Sequence, residues 1–492
     1  MTSTDELMSE TDTSGHSTGA RSKDSSLSMP PDEMRRLGYR VVDALVARAT
    51  DLPDDVARVG GRREEMEKLF REPAPEVGRS PDEVLERAMG AILPRAARID
   101  HPRFFAFVPG SPTWPSVLAE FLTAGFNIFQ GTWLASAGPS QIELVVLDWF
   151  REWLGMPEGG GGLLTSGGSA ANLGALVAAR ERAGNPPEGV VYLGDQGHSS
   201  LERAARIGGI AHVRKVPTGD DFAVEPAALE RAIQEDRANG LSPFMMCANA
   251  GATNTGAVDP LPELAGICRR EGLWFHVDGA YGGFAVLTER GKDALDGIGL
   301  ADSVTLDPHK WLFQPFEVGC LLMKDPGVLE AAFNVEADYL QDVDRDSEHV
   351  NFADRGLQLT RRFRALKIWM SVQTHGLAAY RAAIEEAFEL AVGAERFVRD
   401  SPDLEILSPA AMGVVCYRFK PADGTLDEEE LESLNAAIQA TIVDSGYAMI
   451  SSTRLHGRYS LRLCIMNFTS TWADVRGTLQ RVLDVGHELG LR

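Results

Sequence analysis

The stretch that decides the fold runs from Ala301 to Gly319 and reads ADSVTLDPHKWLFQPFEVG. Ser303 to Leu306 has the character of the end of a buried strand. Asp307-Pro308 ends it, because proline removes a ladder donor and restricts the residue before it. His309 and Lys310 therefore fall on a turn just past the carboxyl end of a strand, the edge at which open α/β sheets bind their ligands. A lone lysine on a turn is ordinarily a solvated amine. Here Trp311, Leu312 and Phe313 follow at once and surround the amine's stem with apolar groups, the setting in which a lysine serves as a nucleophile for Schiff-base chemistry.

Upstream, Leu273 to Tyr281 reads LWFHVDGAY, a second buried strand with a single acid, Asp278, near its end. A lysine and an aspartate on neighbouring strand ends are the two groups that pyridoxal phosphate requires, one to bind its carbonyl carbon and one to keep its ring nitrogen protonated. Outward from this pair, strand-like runs alternate with helical ones from Gly155 to about Asp325: VVYLG then SSLERAARI, HVRKV then PAALERAIQE, PFMMCANA then PLPELAGICRR. Such alternation predicts an α/β fold with a mostly parallel sheet and helices on both faces.

With 492 residues the chain exceeds one core, and its length suggests about three domains. A composition of 44% hydrophobic and 24% charged residues is that of an ordinary globular protein. The net charge of −23 argues against nucleic acid, since no basic stripe is available to displace counterions from phosphates. No long apolar run and no signal-peptide pattern occurs, so the expectation is a cytoplasmic protein without a membrane partner. The cysteines, Cys247, Cys268, Cys320, Cys416 and Cys464, are scattered and set in apolar runs, which reads as buried reduced thiols rather than disulfides or a metal site.

Residues 1–30, rich in Ser, Thr and Asp, lack the apolar surface to offset the entropy of ordering and read as a disordered tail. From Pro31, Met34, Leu37, Val41 and Leu45 recur at helical spacing, and Ser80-Pro81-Asp82-Glu83 opens another helix with a capping box. These helices, in a segment spanning 31–110, carry apolar stripes with little to pack against locally. His101 to Pro115, HPRFFAFVPGSPTWP, is aromatic and aperiodic, either a plug in a core or the wall of an apolar ligand pocket. Ser140 to Gly155 reads as a helix with Ser140 and Glu143 as its capping box and Gly155 as its stop. A large domain then spans 111–375. After Gly376 a helical stretch and strands near Gly413 to Phe419 and Tyr459 to Asn467 read as a small α+β domain over 376–492.

Thr165 to Asn172, TSGGSAAN, follows a strand-like pair of leucines and opens a helix. Its glycines allow close backbone approach, the helix N-terminus offers free N–H groups, and Ser169 adds a hydroxyl, so the turn suits a phosphate. Its spacing matches neither a Walker loop nor a dinucleotide fingerprint, and a Gly-Gly turn before a helix is commonly structural. His198 lies between a strand and a helix, where a histidine is most often a cap. Tyr339 is the large aromatic residue of a polar, acidic, aperiodic loop that follows Phe333.

HVDGAYGG followed by DSVTLDPHKW resembles the group II pyridoxal-phosphate-dependent amino-acid decarboxylases, the family of the aromatic-L-amino-acid decarboxylases, and the likeness extends from about Met34 to about Gly486. The resemblance implies fold type I of the pyridoxal phosphate enzymes and a homodimer wrapped by the N-terminal helices. It further implies that Gly168, Ser169 and His309 hold the cofactor phosphate, with Thr253 contacting the cofactor. His198 and Ala280 would sandwich the ring, and Asp278 and Lys310 would take the roles given above. Phe107, Val108 and Pro109 match the wall of the substrate side-chain pocket. Tyr339 matches a loop tyrosine that protonates the α-carbon after carbon dioxide leaves. Two departures stand out: Ala252 where many relatives carry threonine, and Thr360 in QLTRRFR where glycine or serine is usual, near the other subunit's substrate pocket.

The function implied is decarboxylation of an L-amino acid with an aromatic or otherwise apolar side chain. An aldehyde synthase that couples decarboxylation to oxygen is the nearest rival, and Tyr339 argues against it because such members tend to have phenylalanine there. A glutamate-type decarboxylase would need cations in the side-chain pocket, where the stretch offers only Arg103. An aminotransferase fits the fold less well than the DPHKW block does, and a silent scaffold is at odds with intact Lys310, Asp278, His198 and Ser169.

Overall fold

The computed structural model describes residues 27–334 and 349–490. The expected tail up to residue 26 and the loop bearing Tyr339 lie outside the described residues. Seven strands, β1 (Gly161–Thr165), β2 (Gly189–Gly194), β3 (His212–Val216), β4 (Ser242–Asn249), β5 (Trp274–Gly279), β6 (Ser303–Leu306) and β7 (Gly319–Met323), form one sheet in the order β1-β7-β6-β5-β4-β2-β3. β2, β3, β4, β5 and β6 pair in parallel, while β7 runs antiparallel to both β1 and β6. β2 and β7 are buried along their whole length, as the apolar runs VVYLG and GCLLM require of strands covered on both faces.

The small domain is an antiparallel sheet in the order β10-β11-β9-β8, built from β8 (Leu404–Ala411), β9 (Val414–Phe419), β10 (Ser451–Leu455) and β11 (Arg458–Cys464). Its inner face packs Val415, Tyr417, Leu461 and Leu463 against Ile438, Leu479 and Val482 of two helices. The helix Ala365–Asp400 crosses into this domain and is broken at Gly376, where φ is 68° and ψ is 157°, a conformation that glycine adopts without strain.

Three local expectations are corrected. Ser140 and Glu143 do not cap a helix: the helix runs from Trp133 to Trp153, its N-cap is Thr132, and it kinks at Ser136 ahead of Pro139. Glu143 is instead buried in an ion pair with Arg361, 2.6 Å away, and accepts the Leu164 N–H at 2.8 Å. Residues 101–106, expected with the N-terminal helices, join the small domain, since Phe105 N–H donates to Met449 O at 2.7 Å and Cys464 N–H to Phe105 O at 2.9 Å. The edge strands β8 and β10 are additional to the two expected, because Pro409 in one and the polar SSTRL run of the other hide their strand character.

At the N-terminus the helix Pro31–Asp51 has no buried residue and leaves Met34, Tyr39 and Val46 exposed. Arg36 and Arg40 tie it to Asp82 and Glu86 of the helix Pro81–Arg87, whose first turn is capped by Ser80 Oγ accepting from Glu83 N–H at 3.2 Å.

Candidate active site

The carboxyl ends of β1, β2, β4, β5 and β6 open on one cavity of about 260 Å³. Gly168, Ser169, His198, Thr253, Asp278, Ala280, His309 and Lys310 all line it, so the eight residues singled out for the cofactor come together from five separate loops. Asn172, Ser200, Asn249 and Asp307, for which the sequence reading assigned no role, line it as well. Their common signal is position, each lying at or just beyond a strand end or on the helix that follows.

The turn after β1 folds tightly because Gly167 has a φ of 146° and Gly319 of β7 packs against it, with no room for a Cβ: one built there would lie 2.4 Å from Gly167 Cα. The helix Gly168–Arg182 starts immediately and presents its first N–H groups to the cavity. Behind this turn Arg361 donates to Leu164 O at 2.7 Å and Gln130 O at 3.1 Å while pairing with Glu143, a buried clamp on β1.

Past β6, Lys310 Nζ lies 3.0 Å from Asp307 Oδ2, and His309 Nε2 approaches the same oxygen at 3.7 Å. Asp307 is buried, and its Oδ1 has no hydrogen-bond partner among the described residues. His309 Nδ1 faces Val318 O at 2.5 Å; burial lowers its pKa, and the neighbouring Asp307 opposes that shift. The buried Asp278 caps no helix: its Oδ2 accepts from Asn172 Nδ2 at 2.9 Å and its Oδ1 from Ala280 N–H at 3.1 Å. His198 does cap a helix, Ser199–Ile207, its ring accepting from Ser200 N–H, and it lines the cavity too.

Phe107, Val108, Pro109 and Thr360 do not line this cavity. Phe107 and Thr360 are exposed, and Pro109 is buried. The Phe107–Gly110 segment still passes directly against the lysine turn, since a Cβ on Gly110 would meet His309 O at 2.6 Å. Tyr339 lies outside the described residues.

Pyridoxal phosphate fits what is present: an amine at one strand end, a carboxylate at the next, and between them a helix start kept open by glycine, where a Cβ on Gly168 would press on Ala280 Cβ at 3.0 Å and Asp307 Oδ2 at 3.1 Å. On a mostly parallel sheet interrupted by one antiparallel strand, this defines a pyridoxal phosphate enzyme of fold type I. The chain belongs to the pyridoxal-dependent decarboxylases, whose conserved domain matches residues 64–420. It is 38% identical over 470 residues, 94% of this chain and 98% of the relative, to an aromatic-L-amino-acid decarboxylase of Bacillus atrophaeus. It is 32% identical over 459 residues, 89% of this chain and 91% of the relative, to a phenylacetaldehyde synthase of Petunia hybrida. The Oryza sativa TDC solved with PLP and tryptamine superimposes with a TM-score of 0.89 at 28% identity, covering 94% of this chain and 99% of that one. The protein is thus a carboxy-lyase acting on an amino acid with pyridoxal phosphate as cofactor.

Proposed function

We propose that this enzyme converts an L-amino acid with an aromatic side chain to the corresponding amine and carbon dioxide, as a cytoplasmic homodimer. The observation that carries the reading is the gathering of Lys310, Asp278 and the Gly168–Ser169 helix start on one cavity beside the apolar Phe107–Gly110 segment. Bound there, pyridoxal phosphate supplies an electron sink for the pair left behind when carbon dioxide departs. Lys310 would hold the cofactor through its amine, which has Asp307 beside it to hold or receive a proton. Gly168, Ser169, Thr253 and His309 hold the phosphate and the cofactor's edge. Asp278, kept in place by Asn172, would keep the cofactor's ring nitrogen protonated. His198 and Ala280 would bracket the ring, and Tyr339 would supply the proton for the α-carbon.

Preference for an apolar side chain is supported by Arg103, the one cation of the aromatic stretch. It donates to Tyr447 O at 2.9 Å, stacks on the Tyr447 ring and lies 3.6 Å from Asp474, so it is committed to the small domain. A glutamate-type substrate finds no cation from this segment. The homodimer is supported by the uncovered apolar face of the Pro31–Asp51 helix and by exposed Phe121, Phe126 and Leu134. A cytoplasmic site accords with the composition; among the described residues no helix is long and apolar enough to cross a membrane.

Formation of an aldehyde instead of the amine is the second reading, favoured by the likeness to a phenylacetaldehyde synthase and opposed by Tyr339. Carbon dioxide, amine and peroxide measured together across the standard amino acids decide between them. Amine from aromatic substrates without peroxide is the expected result; peroxide in step with carbon dioxide would replace the first reading with the second.

A further inference from the structure

A chain of hydrogen bonds, buried along its middle and part-buried at its ends, runs beneath the cavity from Trp274 to His198. Trp274 Nε1 donates to Ser303 Oγ at 2.8 Å, which sits 2.8 Å from His276 Nδ1. His276 Nε2 lies 3.1 Å from Asn172 Oδ1, which also accepts from Thr305 Oγ1 at 2.7 Å. Asn172 Nδ2 donates to Asp278 Oδ2 and to Ser200 Oγ, both at 2.9 Å, and Ser200 Oγ lies 2.8 Å from His198 Nδ1.

The direction of every bond follows from three groups. An indole N–H only donates, so Ser303 Oγ accepts at one end. The Asp278 carboxylate accepts from Asn172 and from Ala280 N–H, which fixes the Asn172 amide with its nitrogen toward Asp278 and its oxygen toward His276. His276 Nε2 must then carry the ring proton, leaving Nδ1 to accept from the Ser303 hydroxyl. Burial lowers the His276 pKa to about 4, so the ring is neutral and has this single tautomer. At the far end Ser200 Oγ takes one Asn172 proton and has its own left for His198. The Ser200 backbone N–H also points at Nδ1, 3.3 Å away, so His198 Nδ1 is an acceptor twice over.

We propose that Asn172 and Ser200 are positioning residues that hold His198 with its proton on Nε2, the nitrogen with no hydrogen-bond partner among the described residues, so that the cavity meets a donor at that atom. The same amide orients Asp278. One side chain thereby couples the group assigned to the ring nitrogen with the group assigned to the ring face. This rests on the decarboxylase reading only for what the proton does; the tautomer itself is a property of the protein without cofactor or substrate.

The test is nuclear magnetic resonance of histidine labelled with carbon-13 and nitrogen-15 in the cofactor-free protein. His198 is assigned among the 10 histidines by its loss in His198→Gln. The wild type should show Nε2–H at His198, and Ser200→Ala and Asn172→Ala should each shift the signal toward a mixture of tautomers. In Ser200→Ala pyridoxal phosphate should still bind, because both donors to Asp278 remain. A wild-type signal of the Nδ1–H form, or variants that leave the wild-type signal unmoved, would overturn the inference. Should Asn172→Ala fail to fold, the wild type and Ser200→Ala still decide it. Failure of the decarboxylase reading looks different: no carbon dioxide from any amino acid, with the His198 signal as expected.

Discussion

Lys310 and Asp307 form an ion pair at 3.0 Å across one turn of chain, with the carboxylate buried and the lysine side chain largely so. The amine assigned to the cofactor is therefore held at the cavity before any cofactor arrives. Lys310→Ala should abolish turnover. Borohydride treatment of the loaded wild type, followed by peptide mapping, should place the pyridoxyl group on Lys310, and an adduct on another lysine would sink the assignment.

The clamp behind the phosphate turn makes a second prediction. Arg361 and Glu143 are both almost fully buried, so Arg361→Met strands a carboxylate in the core and should cost about 3–5 kcal/mol. Urea unfolding of the cofactor-free protein measures this. Because Arg361 also holds Leu164 O, pyridoxal phosphate affinity should fall as well; unchanged stability and affinity would show that the clamp is dispensable.

Two buried groups give the stability a pH dependence of opposite signs. Burial lowers the His276 pKa from 6.5 to about 4, so its contribution is whole above 6.5 and is lost as pH falls toward 4, about 3 kcal/mol in all. Burial raises the Asp259 pKa from 3.8 to about 6, so its contribution is whole below 3.8 and is lost as pH rises through about 6. The two largely cancel between these limits. His276→Gln removes one side only, and the variant should gain stability relative to wild type as pH is lowered from 7 to 5. Parallel urea midpoints for both proteins across that range would contradict it.

Tyr339→Phe removes an acid while keeping the ring. If Tyr339 delivers the proton to the α-carbon, amine formation should fall by roughly 10²- to 10⁴-fold while carbon dioxide release persists and, with dissolved oxygen as the oxidant and water as co-reactant, product shifts toward aldehyde, ammonia and peroxide. Amine at the wild-type rate would make Tyr339 an ordinary loop residue and move attention to His198.

From the uncovered helix Pro31–Asp51 a dimer is the expected state in dilute solution. Sedimentation velocity at low concentration checks it, a fully active monomer being the contrary result. Removal of residues 1–28 should leave activity unchanged.

The large domain was legible because its strands are short apolar runs punctuated by Gly, Pro and Asp, and because a lysine, an aspartate and a glycine turn at strand ends have few uses in common. Asn172, Ser200 and Asp307 were not, although each sits in or beside a quoted motif. A polar residue declares its partners only when the fold brings them near, and Asn172 touches side chains from three other segments. Glu143 misled for the same reason: spacing from Ser140 imitates a capping box, and only the buried Arg361 shows otherwise.

The antiparallel β7 stands between the strand that leads to the phosphate turn and the strand that leads to the lysine. Along the chain these two are widely separated, and the piece that joins them comes last. A growing polypeptide that has emerged as far as His198 or even Asp278 holds no pocket, because Gly319 has yet to close on Gly167. Pairings between such distant segments form slowly. Capture of pyridoxal phosphate is thus a signal of completion: a truncated or half-assembled large domain should stay colourless, and the appearance of yellow during refolding should time the insertion of one strand.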